Sequence, residues 1–262
     1  MEQSPVPLLD LRHVTVQRGS RLALDDVTLS VAVGEHVAIL GPNGSGKSTL
    51  IKAITQECYP LPREETSVRL FGRERWNVTE LRQLMGIVSN DMQAFYSRGI
   101  TGEEAVLSGF LASVGLWPHQ TVTPEMRERT GQLLALLEAT HLAERKVRDM
   151  SSGETRRILV ARALVHDPRT LIFDEPSNSL DVFAQEELRR VMRKLAQSGI
   201  TILLVTHHLA DIVPEIERVI FMREGRIVGD GPKRQLLTVE CLTQLFGVPV
   251  ELTTRDGYYH AW

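Results

Sequence analysis

One stretch, Val37 to Leu50 (VAILGPNGSGKSTL), restricts the possible fold more than any other part of the chain. It reads as a short apolar strand from Val37 to Leu40, a glycine-rich turn from Gly41 to Gly46, and a helix opened by Lys47, Ser48 and Thr49. Gly41, Gly44 and Gly46 let the backbone turn tightly with its N–H groups facing inward, which forms a concave nest for phosphate oxygens at a helix N-terminus. Pro42, Asn43 and Ser45 complete the loop. Lys47 then reaches the terminal phosphates, and the Ser48 hydroxyl is placed to ligate magnesium. A chance glycine turn with a stray lysine would need neither the apolar strand before it nor the helix after it, so the phosphate-loop reading is preferred.

The bulk of the sequence limits what such a loop serves. At 262 residues the chain is long enough for one sizeable domain or two small ones. A net charge of -3 with 42% hydrophobic residues is that of an ordinary soluble globular protein, and it argues against attachment to nucleic acid through bulk charge. No apolar run approaches bilayer-spanning length, and the N-terminus MEQSPVPLLD lacks a basic region followed by an apolar one. The expectation is a protein neither inserted nor secreted. Cys58 and Cys241 are lone thiols, which fits a reducing compartment and not a zinc or redox centre.

Along the chain, residues 8 to 33 alternate well enough for two strands, with a change of parity near Arg12 and His13 that predicts a bulge. Arg18-Gly19-Ser20 is the turn between them. The loop helix should end before Pro60 and Pro62; short strands follow at Ser67 to Phe71 and Met85 to Ser89, around a helix near Glu80 to Leu84. From about Thr101 to Leu164 helical spacing takes over. Thr101 and Glu104 form a capping box, and Thr123-Pro124 starts a second helix. The apolar segment Val106 to Leu116 is either core of this helical part or an exposed groove for a membrane partner's helix. Wholly apolar strands return at Thr170 to Phe173 and Ile200 to Val205, separated by a helix from about Val182 to Gln197, which indicates a parallel sheet covered on both faces. On that helix Arg189, Arg190, Arg193 and Lys194 follow Glu186 and Glu187 at surface-pair spacing, so they read as a solvated face rather than a nucleic-acid patch. A hairpin around Glu224-Gly225 and a small helix near Val239 to Phe246 close the chain.

Leu171-Ile172-Phe173 delivers Asp174 and Glu175 to the strand's C-terminal end, the edge at which ligands bind in open parallel sheets. Asp174 is positioned to hold magnesium, directly or through water, and Glu175 to orient and deprotonate a water aimed at the terminal phosphate.

Taken together these residues resemble the ATP-binding cassette (ABC) ATPases over nearly the whole chain. The resemblance rests on GPNGSGKST (Walker A), on Met150-Ser151-Ser152-Gly153-Glu154 where the family carries its LSGGQ signature, and on LIFDEP (Walker B). Ser179-Leu180-Asp181 matches the D-loop and Val205-Thr206-His207 the switch histidine. Walker A alone leaves the P-loop class open; the signature, 21 residues before Glu175, closes it.

The resemblance implies an α/β fold: a P-loop NTPase (RecA-like) core over residues 1–90 and 165–262, with an N-terminal antiparallel β subdomain and an inserted helical subdomain at about 91–164, in a single cassette domain. It implies ATP and Mg2+ as cofactors. It further implies that two cassettes pack head to tail, each ATP lying between one Walker A loop and the other copy's signature helix. Ser151, Ser152, Gly153 and Glu154 would then meet a partner's nucleotide, with Asp181 beside it, and His207 would bond the terminal phosphate while His208 stays structural. The partners implied are a second copy or a related cassette and membrane-spanning permease subunits, on the cytoplasmic face of the membrane; nucleic acid is not expected.

Three residues depart from the family pattern. Asn90 stands where a glutamine is usual, so it is the metal- and water-facing candidate, with Gln93 as a substitute. The adenine-stacking aromatic falls near Arg18, whose guanidinium either stacks on the base or is a solvated turn residue. Ser152 and Glu154 replace a glycine and a glutamine, and Glu154 brings a negative charge toward a polyphosphate, weakening the closed pair unless it points away. The tail around LTVECLTQLFGVPVEL is similar to importer ATPases for metal chelates or oxyanions. The rival reading is a soluble ATP-gated clamp or regulator of RNA, ribosomes or DNA; a single cassette, slight acidity and the lack of a coiled-coil insertion oppose it. A GTPase is disfavoured because no N/T-K-x-D segment is present.

Overall fold

The computed structural model describes residues 6–89 and 99–262. In chain order the first elements are strands β1 (Leu9–Arg18), β2 (Arg21–Val31) and β3 (Val37–Leu40), helix α1 (Lys47–Ile54), strand β4 (Ser67–Leu70), helix α2 (Val78–Leu84) and strand β5 (Met85–Ser89). Helices α3 (Gly102–Phe110), α4 (Pro124–Leu136) and α5 (Ser152–Ala163) come next, then strand β6 (Thr170–Asp174) and helix α6 (Val182–Gln197). The chain finishes with β7 (Thr201–Thr206), β8 (Arg218–Arg223), β9 (Arg226–Pro232), α7 (Lys233–Leu236), α8 (Val239–Phe246), β10 (Leu252–Arg255) and β11 (Tyr258–Ala261). Two compact units result: residues up to Leu81 together with Thr201–Trp262, and Arg82–Ile200.

Besides the two-stranded β10-β11 pair, the first unit holds two sheets. One is antiparallel, in the order β2-β1-β4. Its β1 and β2 pair as Leu11 with Leu29 and then Val14 with Val27, so one extra residue enters β1 at the parity change. His13, at φ 47, takes the strained position, and the bulge lets Leu11 and Val14 both point into the core. In the other sheet β3 lies between two parallel neighbours, β7 and β8, and β9 runs antiparallel to β8. All four residues of β3 are buried, as a central strand covered on both faces requires. Leu50, Ile51, Ala53 and Ile54 give α1 its buried face.

The second unit combines the parallel pair β5 and β6, in register from Met85 with Thr170 to Ser89 with Asp174, with the helices. Gly86 has no substitute here: a Cβ would stand 2.4 Å from the Ala163 carbonyl oxygen at the end of α5. The Thr101–Glu104 capping box forms, and Thr123 caps α4 with Pro124 in its first turn. Val106, Leu107, Leu133, Leu134 and Ile158 are fully buried, each worth about 1.5–3 kcal/mol of apolar transfer. The Val106 to Leu116 segment therefore begins as core, while Trp117 just beyond it is 47% exposed. On α6, Leu188, Met192 and Leu195 face inward; Arg190 is exposed and pairs with Glu187, the solvated-face pattern, whereas Arg189, paired with Glu186, is buried and departs from the solvated face expected of it.

Neither the short helix α7 nor the terminal hairpin of β10 and β11 is anticipated by the sequence reading. The hairpin's turn residues Asp256 and Gly257 both have positive φ, 51° and 81°, which is the backbone a two-residue Asp-Gly hairpin turn demands. Among the described residues no helix is long and apolar enough to cross a membrane.

Candidate active site

In the first unit β3 feeds the loop from Gly41 to Gly46 directly into α1. Gly44 and Gly46 sit at φ 78° and 104°, conformations that an L side chain resists. Space is as restrictive as conformation. A Cβ on Gly41 would fall 2.1 Å from the Met222 carbonyl oxygen, and one on Gly46 would fall 2.5 Å from that of Ala23. The nest is thus moulded against β8 and β2, with Gly225 donating to the Ser45 carbonyl (2.9 Å) as a further tie.

Two features mark this nest as a place for an anion. Helices α3, α4, α5, α6 and α8 start with a Thr, Ser or Asp side chain accepting a first-turn N–H, whereas α1 starts at Gly46, which offers none. No side chain caps its first turn, the end of a helix at which an anion is favoured. The Ser45 hydroxyl, moreover, is buried without a protein partner. Lys47 is 5% exposed and folds its ammonium back over the loop, donating to the carbonyls of Gly41 (2.8 Å) and Pro42 (3.1 Å). Ser48 is exposed in the same turn and Thr49 is buried.

Because β7 pairs with β3 in parallel, Leu40 opposite Thr206, the residue that follows β7 emerges beside the strand that leads into the nest. That residue is His207, half-buried, with its ring centroid 3.9 Å from the ring of His208. His208 is exposed, and its N–H donates to the Thr206 hydroxyl. Arg18 is exposed as the last residue of β1, opposite Arg21, and its charge acts on the nearby Cys58 thiol, whose pKa burial raises.

In the second unit β6 ends at Asp174, and Glu175 follows at φ 47°, an uncommon backbone for a non-glycine residue that costs of order 1 kcal/mol. Both side chains are half-buried. The turn after them closes with N–H groups of Asn178 and Leu180 donating to the carbonyls of Glu175 and Ser177.

The signature segment forms the N-terminus of α5. Ser151 is its cap: the Ser151 Oγ accepts the Glu154 N–H (3.2 Å), and Glu154 Oε2 accepts the Ser151 N–H (2.7 Å). The other carboxylate oxygen of Glu154 accepts from Arg145 Nη1 at 2.8 Å. The Ser151 N–H above all, then the Ser151 hydroxyl and the charge of Arg145, hold the Glu154 carboxyl below the ordinary range. Glu154 is therefore turned onto its own helix, which answers the concern that it confronts a polyphosphate. The pattern Ser-x-x-Glu announced this, as Thr-x-x-Glu did at α3. The N–H groups of Ser152 and Gly153 are not part of the box.

Gly153 allows α5 to meet α6, since a Cβ there would lie 2.7 Å from that of Ala184. Asp181 caps α6 by accepting the Ala184 N–H (2.8 Å). Ser151, Gly153, Glu154 and Asp181 thus line one pocket, together with Phe183. Val182 and Phe183 are 79% and 72% exposed, an apolar pair that sequence reasoning passed over as an ordinary helix start. Asn90 and Gln93 lie outside the described residues.

A strand leading through a glycine nest into a helix with no side-chain cap, in a chain with an acidic strand end, defines a P-loop nucleotide hydrolase. Comparison with known proteins narrows the class. The sequence pattern of the family described as ABC transporter matches residues 24–178. The chain is 33% identical over 251 residues to the ABC transporter ATP-binding protein YlmA of Bacillus subtilis (strain 168), covering 94% of this chain and 93% of that one. It is 31% identical over 253 residues to the hemin import ATP-binding protein HmuV of Escherichia coli O157:H7, covering 93% of each. A solved dimeric bacterial ABC transporter cassette superposes with a TM-score of 0.69 at 26% identity, over 86% of this chain and 98% of that one. The chain belongs to the ABC transporter family. It is an ATP-binding subunit whose ATPase activity energises transport, and the soluble-clamp reading is not favoured.

Proposed function

We propose that this chain works as one half of a head-to-tail pair of cassettes, with a second copy or a related cassette, bound to permease subunits at the cytoplasmic face of a membrane. The observation that carries the reading is the glycine-moulded nest at the uncapped start of α1, with Lys47 held over it. Gly41, Pro42, Asn43, Gly44, Ser45 and Gly46 cradle the phosphates of ATP, Lys47 pairs with the terminal ones, and Thr49 completes the loop. Ser151, Ser152 and Gly153 of the partner close over the nucleotide, with Asp181 beside them, and the exposed Val182 and Phe183 suit the same face. Residues of about 91–164 act as the helical subdomain between the core stretches 1–90 and 165–262.

The donor set suits magnesium. Ser48 and Asp174 are hard oxygen donors of the kind that hold a magnesium shared with phosphates. When bound, the ion neutralises charge on the β- and γ-phosphates. Asn90, or Gln93 in its place, faces the metal and water. Glu175 takes a proton from the attacking water, and His207 bonds the terminal phosphate as charge develops. Arg18 serves the base, by stacking its guanidinium plane on adenine.

The cargo follows from likeness: HmuV is named for hemin import, which supports an importer of metal chelates. Glu175→Gln tests the cassette pair. This variant should bind ATP without turnover and run as a dimer on a sizing column. A persistent monomer under saturating ATP would overturn the head-to-tail reading.

A further inference from the structure

His207 belongs to a turn whose shape is set by two residues with no assigned role. Thr206, the last residue of β7, is completely buried, and Asp211 is 2% exposed. The Thr206 hydroxyl donates to Asp211 Oδ2 at 2.7 Å and accepts the His208 N–H at 3.0 Å. The Asp211 N–H in turn donates to the His208 carbonyl at 3.2 Å. The backbone on both sides of His207 is thereby stitched to one buried hydroxyl and one buried carboxylate. A carboxylate that far from water is expensive unless it is bonded, so its bonds fix the turn firmly.

The turn is also braced from outside. Strand β11 packs against Leu209–Asp211, and at the hairpin tip a Cβ on Gly257 would lie 3.2 Å from the Pro214 ring. The C-terminal hairpin thus packs against the residues that follow the turn.

We propose that Thr206 and Asp211 are positioning residues for ATP hydrolysis, holding the turn so that the His207 imidazole is presented in one orientation. The inference rests on His207 acting at the terminal phosphate. A group that must meet a developing charge loses effect steeply when displaced by an ångström, which is why the stitch bears on the rate of the chemical step and not on nucleotide affinity.

The test compares Thr206→Val, which keeps the shape and removes the hydroxyl, with Thr206→Ser, which keeps the hydroxyl, each alone and in a His207→Ala background. Thr206→Val should lower kcat about tenfold or more with KM for ATP within about twofold, Thr206→Ser should restore it, and Thr206→Val should add nothing once His207 is gone. The imidazole nitrogen signals of His207 in 15N spectra should move in the valine variant and stay in the serine variant. If Thr206→Val does not fold, Asp211→Asn, which keeps the size and weakens the acceptor, gives the same comparison. A silent valine variant, or one whose loss persists undiminished in the His207→Ala background, overturns the positioning role alone. A His207→Ala protein with unchanged kcat overturns the histidine reading and the proposal with it.

Discussion

Glu154 offers the sharpest separation of stability from function, because it occupies a signature position while serving its own helix. Glu154→Ala removes the carboxylate bond to the Ser151 N–H and the partner of Arg145. Loss of a capping interaction costs about 1 kcal/mol. The Arg145 pair adds about 0.5 kcal/mol at most, because Arg145 is 45% exposed and well screened. A total of about 1.5 kcal/mol corresponds to a fall in Tm of about 3–6 °C. Glu154→Gln keeps an acceptor for the Ser151 N–H and loses only the charge at the helix start, so about half that cost is expected. The pH dependence has a defined sign. The folded-state pKa is depressed, so the stabilisation is fully present above the unfolded carboxylate pKa and disappears as pH falls through the folded one. The alanine variant should therefore differ most from the parent at neutral pH and converge with it in acid. Because the carboxylate is directed at Ser151 and Arg145, removing its charge should leave dimer affinity of the ATP-locked Glu175→Gln form within about threefold. Melts across pH and sedimentation of the double variant measure both quantities. A Tm unchanged in Glu154→Ala, or a dimer tightened tenfold or more by Glu154→Gln, would refute the reasoning.

Two further perturbations address the nest. Gly46→Ala must hold φ near 104° and push a methyl against the Ala23 carbonyl, so a loss of about 2 kcal/mol or more is expected by urea titration, together with lost ATP binding; unimpaired binding by calorimetry would show that the loop tolerates repair. Lys47→Ala should leave the fold intact by circular dichroism and abolish nucleotide binding, so retained micromolar affinity would contradict the loop assignment.

What could be read from the sequence is what local rules decide. The strand, nest and helix at Val37 to Leu50, the bulge announced by Arg12-His13 and the cap at Thr101 each follow from spacing that a short window contains. The cap at Ser151 has the same spacing and opens a helix as the sequence indicates, but its resemblance to a functional signature leaves open the inward turn of the Glu154 carboxylate onto that helix. Asp256-Gly257 carries a strong hairpin signal, passed over because the flanking LTTR and YYHA are short and only weakly alternating. The left-handed backbone of Glu175 and the bond from Thr206 to Asp211 depend on tertiary packing, and no local pattern encodes them.

The two carbonyl bonds of Lys47 have a consequence for how the protein lets go. If Lys47 pairs with the terminal phosphates as proposed, its ammonium must give up the oxygens of Gly41 and Pro42, so that capture of the nucleotide includes a trade of partners. On the same proposal those two oxygens stand ready to take the lysine back once the terminal phosphate has departed, which would ease discharge of the spent nucleotide and reset the loop for another round.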